Sequence, residues 1–162
     1  MKKYKWVVII SNLALLLGYF NYSVFQKEKI LKEGKLILLE LAPVDPRSLM
    51  QGDYMDLRYK ISEIDNSDSI PKRGYCIVKL DSNGVATRVR FQETSSSLPK
   101  GYYAIEYTRP ERWSINIGAE SYFFQEGKSA NYQNAKYGAV KVDNNGNSLL
   151  VGLFRSPNQQ IE

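Results

Sequence analysis

The sequence predicts a mainly β protein with one N-terminal transmembrane helix, followed by a β-rich barrel or sandwich domain with one short helix. Three observations predict this fold class. The run 6–25 carries no charge, apolar residues alternate with polar ones from Met55 to Ile61, and two polar segments contain the turn-forming pair Asn-Gly. The length of 162 residues suits one compact domain and an anchor.

The uncharged run 6–25 is long enough to cross a membrane, because about 20 residues rising about 1.5 Å each span about 30 Å of hydrocarbon. Aromatic residues, which favour the membrane interfaces, lie toward its two ends. They are Trp6, Tyr19, Phe20, Tyr22 and Phe25. A buried core helix should show a polar face, and a cleaved signal peptide should have a shorter apolar region and a small-x-small site. A lipoprotein would need a cysteine close behind the run. We therefore expect residues 1–26 to be a retained anchor.

The orientation of the anchor follows from the lysines in front of it. Lys2, Lys3 and Lys5 precede the run with no acidic residue among them, and positive charge tends to stay on the cytoplasmic side. We expect a cytoplasmic N-terminus, an extracytoplasmic domain after residue 26, and contact between the lysines and anionic lipid head groups. The segment 26–29 is also basic overall, which argues in the opposite direction.

Composition excludes several function classes. The net charge of +5 includes the three anchor lysines, so the other 19 basic residues face 17 acidic ones and leave +2. A nucleic-acid partner is not expected at this charge. The chain has no histidine, which excludes a histidine-ligated zinc site and a Ser-His-Asp triad within it. Its one cysteine, Cys76, lies in a strand-like run and is expected to be a buried, inert thiol.

The region after the anchor is expected to divide into a juxtamembrane stalk at 27–35, a β-rich domain at 36–156 and a tail at 157–162. The stalk is interpreted as a short helical continuation that Gly34 ends. A short helix is expected within 127–136. The expected strands are 36–41, 55–61, 75–80, 85–91, 102–107, 113–117, 121–124, 139–142 and 149–154. Asn-Gly turns predict two hairpins, one around Gly84 and one around Gly146.

One motif stands out, Gly-Asp-Tyr-Met-Asp-Leu-Arg-Tyr at residues 52–59. It fits Gly-Asp-Tyr-x-x-Leu-x-Tyr at every fixed position, and the chain resembles the bacterial family named after that pattern, the GDYXXLXY proteins. The segments 41–49, 122–127 and 135–138 also resemble that family. The resemblance implies a membrane-anchored bacterial protein with no assigned activity.

The motif has two interpretations. In the structural one, Gly52 lets the chain turn into a strand, Asp53 holds loop amides, Leu57 and Tyr59 pack on one face, and Tyr54 lies on the other. In the functional one, Asp45, Arg47 and Asp53 form a polar surface for a ligand or partner. The candidate residues of the motif and its surroundings are Asp45, Arg47, Ser48, Gly52, Asp53, Tyr54, Leu57, Tyr59 and Glu126.

The order of motifs also resembles, distantly, that of signal peptidase I. Those enzymes have a membrane anchor, a nucleophilic serine ahead of a Gly-Asp turn, and a lysine base on a later strand. Here Ser48 precedes Gly52, but the strand 85–91 carries arginines, which stay protonated and cannot activate a serine. Lys60 and Lys79 are alternative bases.

No other motif points to catalysis. The acidic residues lack calcium-loop spacing, no glycine-rich phosphate loop is present, and no metal or cofactor is expected. The aromatic residues Tyr102, Tyr103, Tyr107 and Trp113 are expected to pack in the core, with an exposed contact surface as the alternative. The sequence favours a binding or assembly module for an integral membrane or envelope protein. A degenerate Ser/Lys hydrolase is the alternative, and ligand capture in the mouth of a barrel is a third hypothesis.

Overall fold

The computed structural model of the chain describes residues 2–42, 50–51, 54–64, 70–95 and 98–161. Its helical elements are α1 (Lys2–Glu33), a 3-10 turn (Lys60–Ser62) and α2 (Ser129–Tyr132). Its strands are β1 (Lys35–Glu40), β2 (Met50–Gln51), β3 (Tyr54–Asp56), β4 (Arg73–Leu80), β5 (Val85–Gln92), β6 (Tyr102–Thr108), β7 (Ser121–Phe123), β8 (Tyr137–Val142), β9 (Ser148–Ser156) and β10 (Gln159–Gln160).

Helix α1 contains the predicted span and continues beyond it as one unbroken helix. It is long and apolar enough to cross a membrane, and none of its most apolar stretch is buried. A signal sequence would satisfy the same criteria of length and composition. The helix ends where predicted, because the Gly34 amide donates to the Ile30 carbonyl at 2.8 Å and β1 begins one residue later. A Cβ at position 34 would lie 2.5 Å from that carbonyl oxygen, so only glycine fits this reversal.

The strands form a seven-stranded and a three-stranded sheet. The larger sheet has the order β10-β9-β8-β1-β5-β4-β6, and the smaller one has the order β2-β3-β7. Only β1 and β5 pair in parallel among the described strands; the remaining neighbours are antiparallel. The chain leaves the helix directly into β1, which is the central strand of the larger sheet.

The larger sheet is not closed into a barrel, so the barrel alternative of the sequence analysis is wrong. A barrel needs a continuous ladder between the two edge strands. Here β6 instead receives the turn between β8 and β9, where the Glu106 amide donates to the Gly146 carbonyl at 2.8 Å. Apolar side chains of both sheets share one core, which includes Met55 of the smaller sheet and Ile37, Val78 and Ile105 of the larger one. The fold is therefore mainly β with two sheets over one core.

Both predicted hairpins are present, and their turns have the same construction. Asp81 and Asp143 each accept hydrogen bonds, at 2.8–2.9 Å, from the backbone amides two and four residues further on. The glycine three residues after each aspartate has a positive φ, 78° at Gly84 and 92° at Gly146. Each turn thus combines an Asp side chain that satisfies loop amides with a glycine that takes the left-handed conformation.

Two predicted strands differ from the structure. The strand expected at 55–61 ends at Asp56, because the chain turns into the 3-10 helix at Lys60, although alternate side chains remain buried through Ile61. The segment 113–117 is not a strand, since it forms only isolated bridges at Ser114 and Asn116.

The end of the chain continues the β fold beyond the boundary expected at residue 156. Strand β10 pairs with β9, and Ile161 is buried in the core. The Ile161 amide donates to the Leu153 carbonyl at 2.9 Å. The division into anchor, stalk, domain and tail otherwise stays a prediction.

Candidate functional site

The predicted site residues divide into two groups. Asp45, Arg47, Ser48, Gly52 and Asp53 lie outside the described residues. The polar surface and the Ser48 hypothesis therefore stay predictions. Four further residues are described: Tyr54, Leu57 and Tyr59 lie within six consecutive residues of the chain, and Glu126 is an exposed residue in the turn after β7.

Among the described residues of the motif, Tyr59 is the most deeply buried and has no exposed surface. Its hydroxyl donates a hydrogen bond to the Ala119 carbonyl at 2.5 Å. Its ring lies against the backbone of β8 at Gly138, where a Cβ would be 2.8 Å from Cε1 of the ring. Burial, with the nearby negative charge of Glu120 as a smaller contribution, raises the pKa of the Tyr59 hydroxyl well above its ordinary value. Tyr59 is thus a neutral, hydrogen-bonded core residue.

Leu57 joins the motif to the segment that precedes β7. Its side chain is buried, and its amide donates to the Glu120 carbonyl at 2.6 Å. The Glu120 carboxylate in turn accepts a hydrogen bond from the Ile117 amide at 2.5 Å. This carboxylate therefore supports the backbone on which the second half of the motif packs.

Tyr54 is half-buried on β3, next to the buried Met55. Its ring lies 5.7 Å from the ring of Phe123, its cross-strand neighbour on β7, with the two planes tilted by 38°. Phe123 itself is 74% exposed. Aromatic side chains are enriched at protein interfaces, so among the described residues this pair is a candidate contact surface beside the motif. We call Tyr54 and Phe123 the aromatic face.

The segments that resemble the family meet around the motif. Leu41 forms a β-bridge with Tyr59, and its amide donates to the Lys136 carbonyl at 2.8 Å. Met55 is paired with Tyr122 across β3 and β7. Residues separated by up to about 95 positions therefore form one junction between the two sheets. For the described residues, this geometry agrees with the structural interpretation of the motif.

A second aromatic cluster, not expected from the sequence, lies next to β7. The ring of Tyr132, on α2, contacts Tyr122 edge-on at 5.2 Å and Phe124 in a stacked arrangement at 5.4 Å. Burial and a hydrogen bond with Tyr132 raise the pKa of Tyr122 to about 12. A shallow cleft of about 360 Å³ lies over these rings. The alternation in Tyr122-Phe123-Phe124 was the available signal, because it places the first and third rings on one face.

The two lysines proposed as catalytic bases lie in exposed settings. Lys60 Nζ is 2.5 Å from a carboxylate oxygen of Glu40, and Lys79 Nζ lies 6.0 Å from the centroid of the Tyr102 ring. Both lysine side chains are exposed to solvent, whereas a catalytic lysine normally lies in a desolvated pocket. Among the described residues, no group of acidic or cysteine side chains could hold a metal ion.

Three of the four aromatic residues that were expected to pack in the core are at least half-buried. Tyr107 is buried, and Tyr102 and Tyr103 are half-buried. Burial raises the pKa of the Tyr107 hydroxyl. Trp113 is 66% exposed. Core packing therefore accounts for most of this group.

Comparison with known protein families supports the family that the motif suggests. The family described as GDYXXLXY protein matches residues 16–153, which include the C-terminal part of the apolar helix and nearly all of the β fold. The chain belongs to the GDYXXLXY protein family. No curated protein and no solved structure matches the chain. Membership of the GDYXXLXY family accounts for the motif and the segments that meet around it, and it assigns no activity.

Proposed function

We propose that this chain is a single-pass bacterial membrane protein whose β domain lies outside the cytoplasm. In that position it acts as a binding or assembly module for an integral membrane or envelope protein. The observation that carries the proposal is the aromatic face, because Phe123 is largely exposed beside the motif residue Tyr54. Phe123 packs against Tyr54 while most of its ring faces solvent, and aromatic side chains are enriched at protein interfaces.

The connection between helix and domain supports the proposal. One residue, Gly34, separates α1 from the central strand β1, and the Lys141 ammonium donates to the carbonyl of Leu31 in the last turn of the helix. Ile30, on the same turn, is 8% exposed and packs against the domain. Such a short connection holds the domain close to the membrane surface, where an integral membrane partner is within reach.

Partner binding is tested by photo-crosslinking from position 123 in intact cells. A photoreactive phenylalanine analogue at position 123 should crosslink to one integral membrane or envelope protein. Phe123→Ser should abolish co-purification of that protein in mild detergent without lowering the melting temperature. The matched control is Val89, an exposed apolar residue on β5 (47% exposed). Equal crosslinking from positions 89 and 123, or none from 123, would contradict the proposal.

Orientation is tested with a single introduced cysteine. Cys76 is fully buried, so the unmodified chain should not react with a membrane-impermeant maleimide and is its own control. Glu111→Cys places a thiol in an exposed loop. Labelling of this variant in intact cells would support an extracytoplasmic domain, and labelling only after membrane disruption would contradict it.

A further inference from the structure

A polar cleft of about 610 Å³ lies between the C-terminal part of α1 and the β domain, apart from the motif. Ser23, Gln26, Lys27 and Ile30 form its helix wall. Strand β6 and the turn between β8 and β9 form the opposite wall. Its volume lies within the range of about 300–1,000 Å³ that is usual for small-molecule sites.

The cleft lies at the depth of the lipid head groups if α1 spans the membrane as proposed. The uncharged run ends at Phe25. The next five residues rise about 7.5 Å, and the head-group layer of one leaflet is about 5–7 Å thick. Lys27 is therefore within this layer, where a lipid head group can reach a polar cleft.

The charges on the two walls are of opposite sign. Lys27 lies on the helix wall, and Glu106, an exposed residue of β6, lies on the domain wall. Among the described residues, neither side chain takes part in an ion pair. A ligand with one negative and one positive group would satisfy both, whereas a purely anionic head group would meet the Glu106 carboxylate unfavourably.

The remaining polar groups distinguish between the two common zwitterionic head groups. Side-chain amides from Gln26, Asn116 and Asn147 line the cleft and offer carbonyl oxygens as acceptors. A primary ammonium can donate three hydrogen bonds to such oxygens and to Glu106. A quaternary ammonium donates none and is usually bound by a cage of aromatic rings. Among the described residues that line this cleft, the one aromatic side chain is the buried Tyr107.

We infer that this cleft binds the head group of an ethanolamine phospholipid, with its phosphate at Lys27 and its ammonium at Glu106. The inference rests on the proposed function in one respect, namely that α1 is a membrane span. The inferred ligand is a specific lipid, and its binding site is the junction between the helix and the β domain.

The test uses the full chain in nanodiscs of phosphatidylcholine alone, or with one fifth phosphatidylethanolamine or phosphatidylglycerol. Native mass spectrometry measures the lipid retained after release. We expect selective retention of phosphatidylethanolamine. Lys27→Gln and Glu106→Gln should each weaken it about tenfold, the effect of losing one charge-assisted hydrogen bond. Lys32→Gln and Glu111→Gln, at exposed positions that do not line the cleft, are the matched controls.

Three outcomes would overturn the inference. The first two are no preference for phosphatidylethanolamine over the other two lipids, and control variants that weaken retention as much as Lys27→Gln and Glu106→Gln do. The third is that soluble glycerophosphoethanolamine raises the melting temperature of the detergent-solubilised chain as much as phosphatidylethanolamine does. The last result would assign the cleft to a soluble phosphodiester. Alkaline extraction of membranes distinguishes this failure from failure of the proposed function. A chain that resists extraction but shows no lipid preference retains its proposed anchor, whereas a chain that is extracted loses both.

Discussion

Tyr59 and Gly138 show how the motif stabilises the fold at the scale of single residues. The Tyr59 ring needs the space that a glycine leaves on β8, and its hydroxyl needs the carbonyl of Ala119. Burying a large aromatic ring contributes to stability only if its polar end is paired. The last tyrosine of the motif therefore has two requirements, which are met by residues far away in the sequence.

We predict that Gly138→Ala lowers the free energy of unfolding by about 1–3 kcal/mol, because the new methyl group would overlap the Tyr59 ring. Gly152→Ala is the matched control on the neighbouring strand. Its Cβ would meet only the end of the flexible Gln160 side chain, at 3.0 Å. Thermal unfolding of both variants in detergent checks the prediction. Equal melting temperatures for the two variants would show that the ring does not need this space.

We predict that Tyr59→Phe costs about 1 kcal/mol of stability, because it leaves the Ala119 carbonyl without its donor while preserving the packing of the ring. Tyr137→Phe is the matched control, since Tyr137 is only half-buried. Unfolding of the two variants at neutral pH is the measurement. A larger loss of stability for Tyr137→Phe than for Tyr59→Phe would contradict the prediction.

The buried thiol of Cys76 is expected to make the stability of the fold depend on pH. Burial raises the pKa of its thiol from 9.0 to about 12. The folded chain therefore keeps this proton at a pH at which the unfolded chain has lost it. The stabilisation is fully present below about pH 9 and is lost as the pH rises toward 12.

We predict that Cys76→Ala reduces the slope of unfolding free energy against pH between about pH 9 and 12, by up to about 1.4 kcal/mol per pH unit. The slope is the informative quantity, because the substitution also changes packing at all pH values. Urea unfolding across this pH range measures it. An unchanged slope would show that the thiol does not differ in ionisation between the two states.

At the scale of elements, the two hairpin turns have the same local structure in different surroundings. Both contain an Asp and a positive-φ Gly. The space around Gly84 is open, whereas a Cβ at Gly146 would lie 3.0 Å from the Tyr75 ring and 3.1 Å from the Glu106 amide. The second turn is therefore also a packing element, since it covers the edge strand β6.

We predict that Gly84→Ala costs about 1 kcal/mol, the usual effect of placing a side chain at positive φ. Gly146→Ala should cost at least about 1 kcal/mol more, because it adds a steric conflict with Tyr75 and disturbs the hydrogen bond to Glu106. Comparing the two melting temperatures separates the conformational term, which both share, from the packing term. Equal losses would show that the turn does not pack on β6.

At the scale of the whole molecule, the last turn of α1 is the connection between the apolar helix and the β domain. The Lys141 ammonium donates to the Leu31 carbonyl near the helix C-terminus. Positive charge there also interacts favourably with the helix dipole. This contact and the burial of Ile30 hold the helix end against the strand β8.

We predict that Lys141→Ala loosens this connection while the β domain stays folded. The expected result is several-fold faster amide hydrogen exchange in residues 27–34, consistent with a loss of about 0.5–1 kcal/mol at the helix end. Lys136→Ala, an exposed position just before the same strand, should have no such effect. Faster exchange throughout the domain would instead indicate global destabilisation.

The sequence by itself determined the features that depend on neighbouring residues. The charge-free run predicted the helix, and Gly34 predicted its end. The alternation of apolar and polar residues predicted that Met55, Leu57, Tyr59 and Ile61 are buried. The Asn-Gly pairs predicted both hairpin turns. These features follow from hydrophobic periodicity and backbone conformation, which are local properties. The motif was likewise sufficient to suggest the family.

Only the tertiary structure decided where the elements meet. The open order of the larger sheet, the space at Gly138 for Tyr59 and the cleft between α1 and β6 all join residues distant in sequence. The strand predicted at 113–117 is absent for a related reason, because these residues form only isolated bridges with distant parts of the chain. A strand or a cleft exists only when a partner surface is present, and no local pattern encodes that partner.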